Sequence, residues 1–372
     1  MNHGRSSAAT LIFPAVNQLA FDYWRTAQLH SEPTVMAASV PCDESPFNGS
    51  TVLRLPMIYE DGFCSAFLNL VAEHSIARVY CPVASVYAHL QRFIVEQELS
   101  IELLGDSPIQ QQMTQHQELM ARSRKLSHFI ATCADGANVL PPIDVAGVLR
   151  QAALIYGESS DEKLAAMIAI AASAPVGDIV EIGSLMGRTA FVLLYLARRY
   201  RIGPLLTIDP WRSANAVHHD SPEVFGSLLS EWDYEALSEG FFVNLAPFAS
   251  DDHAHLRMPS EQAFALYQSD LPILAQDSSI VSFGRRIAIL HIDGNHDYTA
   301  VRLDCDLWLD RMLPGAVLIL DDYQWAHGNG PQRVGDELIA MYNRRIKRAF
   351  VCGKAMFIKL RSDVDNCTED TR

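Results

Sequence analysis

Two apolar runs late in the chain each stop on acid. In AILHIDGNHDY the strand-like run 287–293 closes on Asp293, with His296 three residues further on. In GAVLILDDYQW the run 316–322 closes on the pair Asp321 and Asp322. Carboxylates gathered at one edge repel one another unless they share protons or a cation. Oxygen donors with no cysteine among them favour Mg²⁺, with Mn²⁺ or Ca²⁺ as substitutes. Such an ion lowers the pKa of a bound hydroxyl and orients it for attack. An imidazole at His296 can take the hydroxyl proton, because its ordinary pKa lies near working pH. The plainer alternative is that Asp293 and Asp322 cap helix amides and His296 bonds backbone in a turn.

For these acids to meet, the two runs must be neighbouring strands. A single helical segment, TAVRLDCDLWLDRM, separates them, which predicts adjacent parallel strands about 4.8 Å apart. The same alternation runs from 176 onward. The strands DIVEIG, PLLTIDP, RIAILHID and GAVLILDD are interleaved with the helices RTAFVLLYLARRY, SEQAFALYQ and VGDELIAMYNRRI. FFVNL reads as a further short strand and AFVCGKAMFIKL as a single closing one. Apolar strands alternating with amphipathic helices predict an α/β fold, a Rossmann-like, doubly wound and mostly parallel sheet covered on both faces. Ligands of such sheets bind at the carboxyl ends of the strands.

The segment VEIGSLMGRTA (180–190) runs from strand through a glycine turn into a helix. Gly183 and Gly187 let backbone approach a ligand, and the helix start offers unpaired amides. The pattern is neither GxGxxG nor a P-loop. In TIDPW, Asp209 follows Gly183 by 26 residues, at the tip of the next strand. An acid there can accept hydrogen bonds from a ribose diol, and Glu181 can meet a cationic group. A structural tight turn and NAD binding are the alternatives.

The acid–x–Gly loop followed by a second acid resembles class I S-adenosylmethionine-dependent methyltransferases. The block HIDGNHDY…DLWLDRMLPGAVLILDDY is similar to the metal-dependent macrolide and aminocoumarin sugar O-methyltransferases and to the cephalosporin-hydroxylase-like family. The resemblance covers residues 155–345. It implies that Glu181, Gly183 and Ser184 line the methionine part of S-adenosylmethionine and that Asp209 and Trp211 hold the adenosine. Ser260, in the adenine-side loop APFASDDHAHLRMPSEQA, would be a further contact. It also implies that Asp293, Asp321 and Asp322 bind Mg²⁺ (or Mn²⁺), with His296 as base. The acceptor would be a hydroxyl of a sugar, glycosylated natural product or polysaccharide, and the family's habits allow a homo-oligomer. Two other readings stand beside it. One is an Fe(II)-dependent hydroxylase, for which an imidazole and two carboxylates can serve as ligands. The other is a non-catalytic cofactor-binding protein that recruits a partner.

Upstream, TVMAASV (34–40) and ARVYCPV (77–83) read as strands around the helical CSAFLNLVAEH (64–74), a smaller α/β domain over 1–105. Its LRLPMIYEDGF, followed by helix and strand, resembles the module that precedes ATP-grasp domains. A structural or substrate-selecting role is expected. Residues 106–150 read as a helical connector broken by the prolines of NVLPPID. The main domain would span 151–362 and a polar tail 363–372. Ser160 is the expected N-cap of the helix in ESSDEKLAAMIAIAASAP. His218, His219, His253 and His255 read as loop residues, while His327, Tyr323 and Trp325 sit in a glycine-rich loop where they could touch substrate.

The 372 residues suit two domains, and 49% apolar with 20% charged residues is a globular composition. A net charge of −15 disfavours nonspecific binding to nucleic acid or anionic membrane. The basic clusters RRYR and RRIKR read as solvated helix faces. The longest apolar stretch, AAMIAIAASA, has about half of the ~20 residues that a membrane helix needs. The run TLIF, broken by Pro14, does not read as a secretory signal. Seven scattered cysteines without a CxxC pair suit a reducing, cytoplasmic compartment and no thiolate zinc site.

Overall fold

A computed structural model describes residues 8–42, 44–134, 136–220 and 222–363. The tail read at 363–372 lies, beyond Asp363, outside the described residues. Contacts divide the chain into two compact units, Met1–Glu118 and Leu119–Arg372.

In the first unit the strands are β1 (Ala9–Ile12), β2 (Thr34–Ala38), β3 (Val52–Arg54), β4 (Ile76–Tyr80) and β5 (Glu102–Leu103). They form one parallel sheet in the order β3-β2-β1-β4-β5, with helices α1 (Gln18–Leu29), α2 (Phe63–Glu73) and α3 (Ala84–Glu96). The run TLIF, weighed only as a leader, is the core of the central strand. A four-residue strand buried on both faces has no polar alternation to mark it. Phe13, Phe63 and Phe67 stack in the unit's core and Phe93 meets Phe63 and Phe67 edge-on, with centroids 5.7–6.4 Å apart.

The second unit begins within α4 (Pro108–Cys133) and continues through α5 (Pro142–Leu154) and α6 (Asp161–Ala171). Its strands β6 (Asp178–Ile182), β7 (Leu205–Ile208) and β8 (His253–Leu256) are followed by a separate ribbon, β9 (Ile273–Leu274) with β10 (Ile280–Val281). Then come β11 (Ile287–Ile292), β12 (Met312–Leu320), β13 (Ile346–Cys352) and β14 (Ala355–Leu360). The seven-stranded order is β13-β14-β12-β11-β6-β7-β8, parallel except for β14, which runs against both its neighbours. The connecting helices are α7 (Arg188–Tyr200), α8 (Ser213–Ala216), α9 (Glu223–Ser230), α10 (Tyr234–Leu245), α11 (Ser260–Gln268), α12 (Tyr298–Trp308) and α13 (Gly330–Tyr342). Alternate strand residues feed two cores. Ile179, Ile289 and Val317 pack with α5 to α7, and Val180, Leu290 and Leu318 with α11 to α13. This is the doubly covered, mostly parallel Rossmann-like sheet that the sequence predicts. Among the described residues no helix is long and apolar enough to cross a membrane.

Three local expectations change. FFVNL is the end of helix α10, whose Asp233 cap accepts from the amides of Glu235 and Ala236. Phe241 and Leu245, four residues apart, are both buried, a helical spacing that short apolar runs conceal. AFVCGKAMFIKL is two antiparallel strands turning at Gly353, whose φ is +54°. The sheet's third parallel strand is HAHL, where the sequence predicts a loop, so His253 and His255 belong to the sheet. Thr207 Oγ1 lies 3.0 Å from His253 Nε2 and 3.0 Å from His255 Nδ1.

Burial lowers the pKa of His253 to about 4 and that of His255 to about 3. Both rings are neutral when folded, whereas the unfolded chain protonates them near pH 6.5. Their stabilising effect is complete above pH 6.5 and is lost as pH falls from there towards 4. Melting temperature measured across this range should therefore drop on the acid side, and His253→Gln should make the drop shallower.

Candidate active site

The carboxyl ends of β6, β7, β11 and β12 open on one cavity of about 820 Å³, lined by Gly183, Asp209, Asp293, His296, Asp322 and Trp325 among others. That volume is within the ~300–1,000 Å³ usual for small-molecule sites. Register brings the acids together. Ile292 pairs with Leu320, so Asp293 and Asp321 leave adjacent strands at the same level. Asp293 N–H donates to Ile182 O at 2.7 Å and Asp321 N–H to Ile292 O at 2.9 Å, which extends the ladder one step past the strand ends.

The acids and imidazoles form two overlapping groups. Ligand atoms of Asp293, His296 and Asp322 lie within 4.8 Å of one another, as do those of His291, Asp293 and Asp321. His296 Nε2 stands 3.5 Å from Asp322 Oδ2 and 3.8 Å from Asp293 Oδ1. Both ring nitrogens of His296 are buried without a hydrogen-bond partner, and burial lowers its pKa, leaving the ring neutral. Burial raises the Asp322 carboxyl, against the pull of His296. Burial and the charge of Asp321 raise that of Asp293 well above the usual range.

Beneath them lies a charged layer that the sequence reading does not include. Lys163, 1% exposed, donates from Nζ to Asp321 Oδ2, sits 3.6 Å from Asp293 Oδ2 and reaches Ser159 Oγ at 3.0 Å. Burial opposes its charge, but Asp321 and Asp293 outweigh that and raise its pKa. Asp321, despite burial, is held well below the usual carboxylate range by Lys163. His291, at the end of β11, meets Glu181 Oε1 through Nδ1 at 3.1 Å. Burial and Lys163 work against its charge, yet Asp321 and Glu181 raise its pKa to about 9. The signals were present but weak: a lysine opening the apolar helix AAMIAIA, and a histidine inside the strand AILHID.

On the other side of the cavity, Gly183 (φ +84°) and Gly187 (φ +90°) bracket the turn between β6 and α7. Asp209 organises this turn. Its Oδ2 accepts from the amides of Ser184 (3.0 Å) and Leu185 (3.1 Å), and its Oδ1 from Trp211 N–H (2.8 Å). Desolvation raises its pKa even so. Ser184 is buried, and its Oγ has no hydrogen-bond partner. Leu185, Trp211 and Asp322, all cavity residues, adopt left-handed backbone (φ +44°, +41° and +48°), strain of the sort that gathers at functional sites.

Two expected cofactor contacts are committed elsewhere. Glu181 is 0% exposed and does not line the cavity, because strand side chains alternate between the two faces and that of Glu181, two places before the turn, faces His291. Trp211 lines the cavity but buries its indole against His255 and Phe241, and its Nε1 bonds Leu185 O at 3.0 Å. Ser260 lines the cavity and accepts from Trp308 Nε1 at 2.9 Å.

The loop after β11 is tied to the loop after β7. Asp297 accepts from the amides of His219 (2.7 Å) and Asp220 (2.8 Å), and Asn295 Nδ2 donates to Asn215 O and Val217 O, both at 3.0 Å. This stacks His218 on His296, centroids 4.9 Å apart, with Trp325 edge-on to both and His327 beyond it. His218, a loop residue, is therefore part of the wall around His296.

Residues 180–323 match the family model described as a methyltransferase domain. No curated protein matches the chain. Among solved structures it is similar to the O-methyltransferase NovP, with 16% identity over 51% of this chain and 73% of that one and a TM-score of 0.37. It is also similar to the calicheamicin methyltransferase CalS11, with 10% identity over 69% and 94% and a TM-score of 0.35. The mycinamycin-pathway methyltransferase MycE gives 14% identity over 50% and 46% and a TM-score of 0.31. At these values the likeness carries no weight for substrate or metal.

The glycine turn has no room for a side chain. A Cβ at Gly183 would come 2.0 Å from the Asp293 carbonyl oxygen, on a backbone already left-handed. Gly183→Ala should lower unfolding stability by about 2–5 kcal/mol, read by urea denaturation, because both strain and overpacking act there.

Proposed function

We propose that this methyltransferase moves the methyl group of S-adenosylmethionine to a hydroxyl of a sugar, glycosylated natural product or polysaccharide, with Mg²⁺ or Mn²⁺ at the acidic cluster. The observation that carries this reading is that one cavity joins the Asp209-organised glycine turn to the Asp293–His296–Asp322 group. Its residues suit both absent groups. Ser184 Oγ is a buried hydroxyl without a partner beside the helix α7 start. Burial raises the carboxyls of Asp293 and Asp322, and a dication between them would favour their ionised, ligating form.

S-adenosylmethionine, when bound, supplies an electrophilic methyl group, and a divalent ion, when bound, supplies a Lewis acid that acidifies the acceptor hydroxyl. Asp293 and Asp322 would hold the ion, with Asp321 behind them. Neutral His296 has an unpartnered Nε2 facing both carboxylates, so it can accept the acceptor's proton. His218 and Trp325 keep that ring in one orientation and limit the water around it. Asp209 keeps the amides of Ser184 and Leu185 in one turn geometry, and the ribose hydroxyls would meet its remaining lone pairs. The family match supports methyl transfer over hydroxylation.

Calorimetry with S-adenosylhomocysteine tests the donor half. Binding is expected, and Asp209→Ala should weaken it by ~10-fold or more. Absence of heat at millimolar ligand would sink the reading. For the acceptor half, Asp293→Asn and Asp322→Asn should each lower methyl transfer to a sugar acceptor by ~100-fold or more while the affinity for S-adenosylhomocysteine stays within ~3-fold.

A further inference from the structure

Three carboxylates at one strand edge would ordinarily all be counted as ligands of one ion. The ammonium beneath them separates them. We infer that Lys163 is the resident counter-cation of the acidic cluster, keeping Asp321 out of the ligand set and leaving a divalent ion to Asp293 and Asp322. The inference rests on the metal half of the proposed function.

Both oxygens of Asp321 are already engaged. Oδ2 accepts from Lys163 Nζ, and Oδ1 accepts from Asp322 N–H at 2.9 Å. Asp293 Oδ2 faces the same ammonium at 3.6 Å, whereas its Oδ1 faces His296, as does Oδ2 of Asp322. The cluster thus has one side that faces Lys163, where His291 Nε2 also lies 3.7 Å from Asp321 Oδ2 and 3.8 Å from Asp293 Oδ2, and another that faces His296. Ser159 Oγ at 3.0 Å is a further acceptor for the ammonium.

Lys163 is also sealed from solvent. The β13–β14 turn closes over it so tightly that a Cβ on Gly353 would lie 2.8 Å from Lys163 Cβ and 2.6 Å from Ser160 Oγ. Arg188, at the start of α7, binds the carbonyls of Ala152 (3.0 Å), Ile155 (2.9 Å), Gly157 (2.5 Å) and Ser159 (3.1 Å). That grip fixes the strap 155–160 that leads into α6 and carries Ser159. A lysine in the first turn of a helix also opposes the helix dipole, so the position is unfavourable unless its carboxylate partners compensate. With two carboxylates left, the ion would keep waters and take the acceptor as a further ligand, the pattern usual for Mg²⁺.

The test substitutes Lys163→Met, which keeps length and removes charge, and titrates Mn²⁺ by the electron paramagnetic resonance signal of the free ion. Freeing Asp321 raises the ligand charge, so the variant should bind Mn²⁺ ~10-fold tighter than the parent or more. Its melting temperature should be lower without metal and recover with saturating Mn²⁺. A companion variant covers the case in which Lys163→Met does not fold. Asp321→Asn should leave Mn²⁺ affinity within ~3-fold, while Asp293→Asn and Asp322→Asn weaken it by ~30-fold or more. Equal or weaker Mn²⁺ binding by a folded Lys163→Met overturns the inference, as does a loss in Asp321→Asn as large as that in Asp293→Asn. If the parent itself binds no Mn²⁺, the inference and the metal half of the proposed function fall together. S-adenosylhomocysteine binding, measured on the same samples, then tells whether the donor half stands.

Discussion

An ammonium sealed among carboxylates is the constraint on which this site depends. A charge taken out of water costs several kcal/mol unless it is paired and hydrogen-bonded, so Lys163 is tolerable only where Asp321, Asp293 and Ser159 surround it. Those partners come from the strap before α6 and from the ends of β11 and β12, and the β13–β14 turn packs against Lys163 itself. The pair Lys163–Asp321 joins residues 158 apart in sequence. The acidic cluster therefore exists only when the sheet and the helix that precedes it are both assembled.

Glycines make the close approaches that this assembly needs. A side chain at Gly183 would strike the Asp293 carbonyl, and one at Gly330 would come 2.2 Å from the His296 carbonyl. The first brings the donor-side turn against the acid at the end of β11, and the second seats α13 against the loop that carries His296. Packing thus sets the distance between the two halves of the cavity, and it does so with backbone, the least adjustable part of the chain. The strained residues Leu185, Trp211 and Asp322 border the same cavity. Strain concentrated there is consistent with a site whose geometry is held by its surroundings.

Much of this architecture was legible beforehand. Apolar runs ending in acid, separated by one helix, are local patterns, and right-handed βαβ geometry turns them into neighbouring parallel strands. Asp293, Asp321, Asp322 and His296 converge as their spacing predicts. The differences are also local in origin. A five-residue apolar run does not reveal its period, so FFVNL reads as a strand although it is helical. A buried strand such as TLIF carries no alternation. HAHL alternates histidine with apolar residues, and polar composition hid a strand whose histidines are held by Thr207.

The sequence by itself determined that acids and an imidazole would stand at the carboxyl edge of a parallel sheet, with a glycine turn nearby, because strand ends and turns are properties of short segments. Which cation meets those acids was decided only by the tertiary structure. The pattern of α6 says that the helix is buried but not what its one lysine faces. The same holds for Glu181, which the sequence offered to a ligand and the sheet turned towards His291. Side-chain direction at a strand end depends on register to a single residue, and register is a property of the whole sheet.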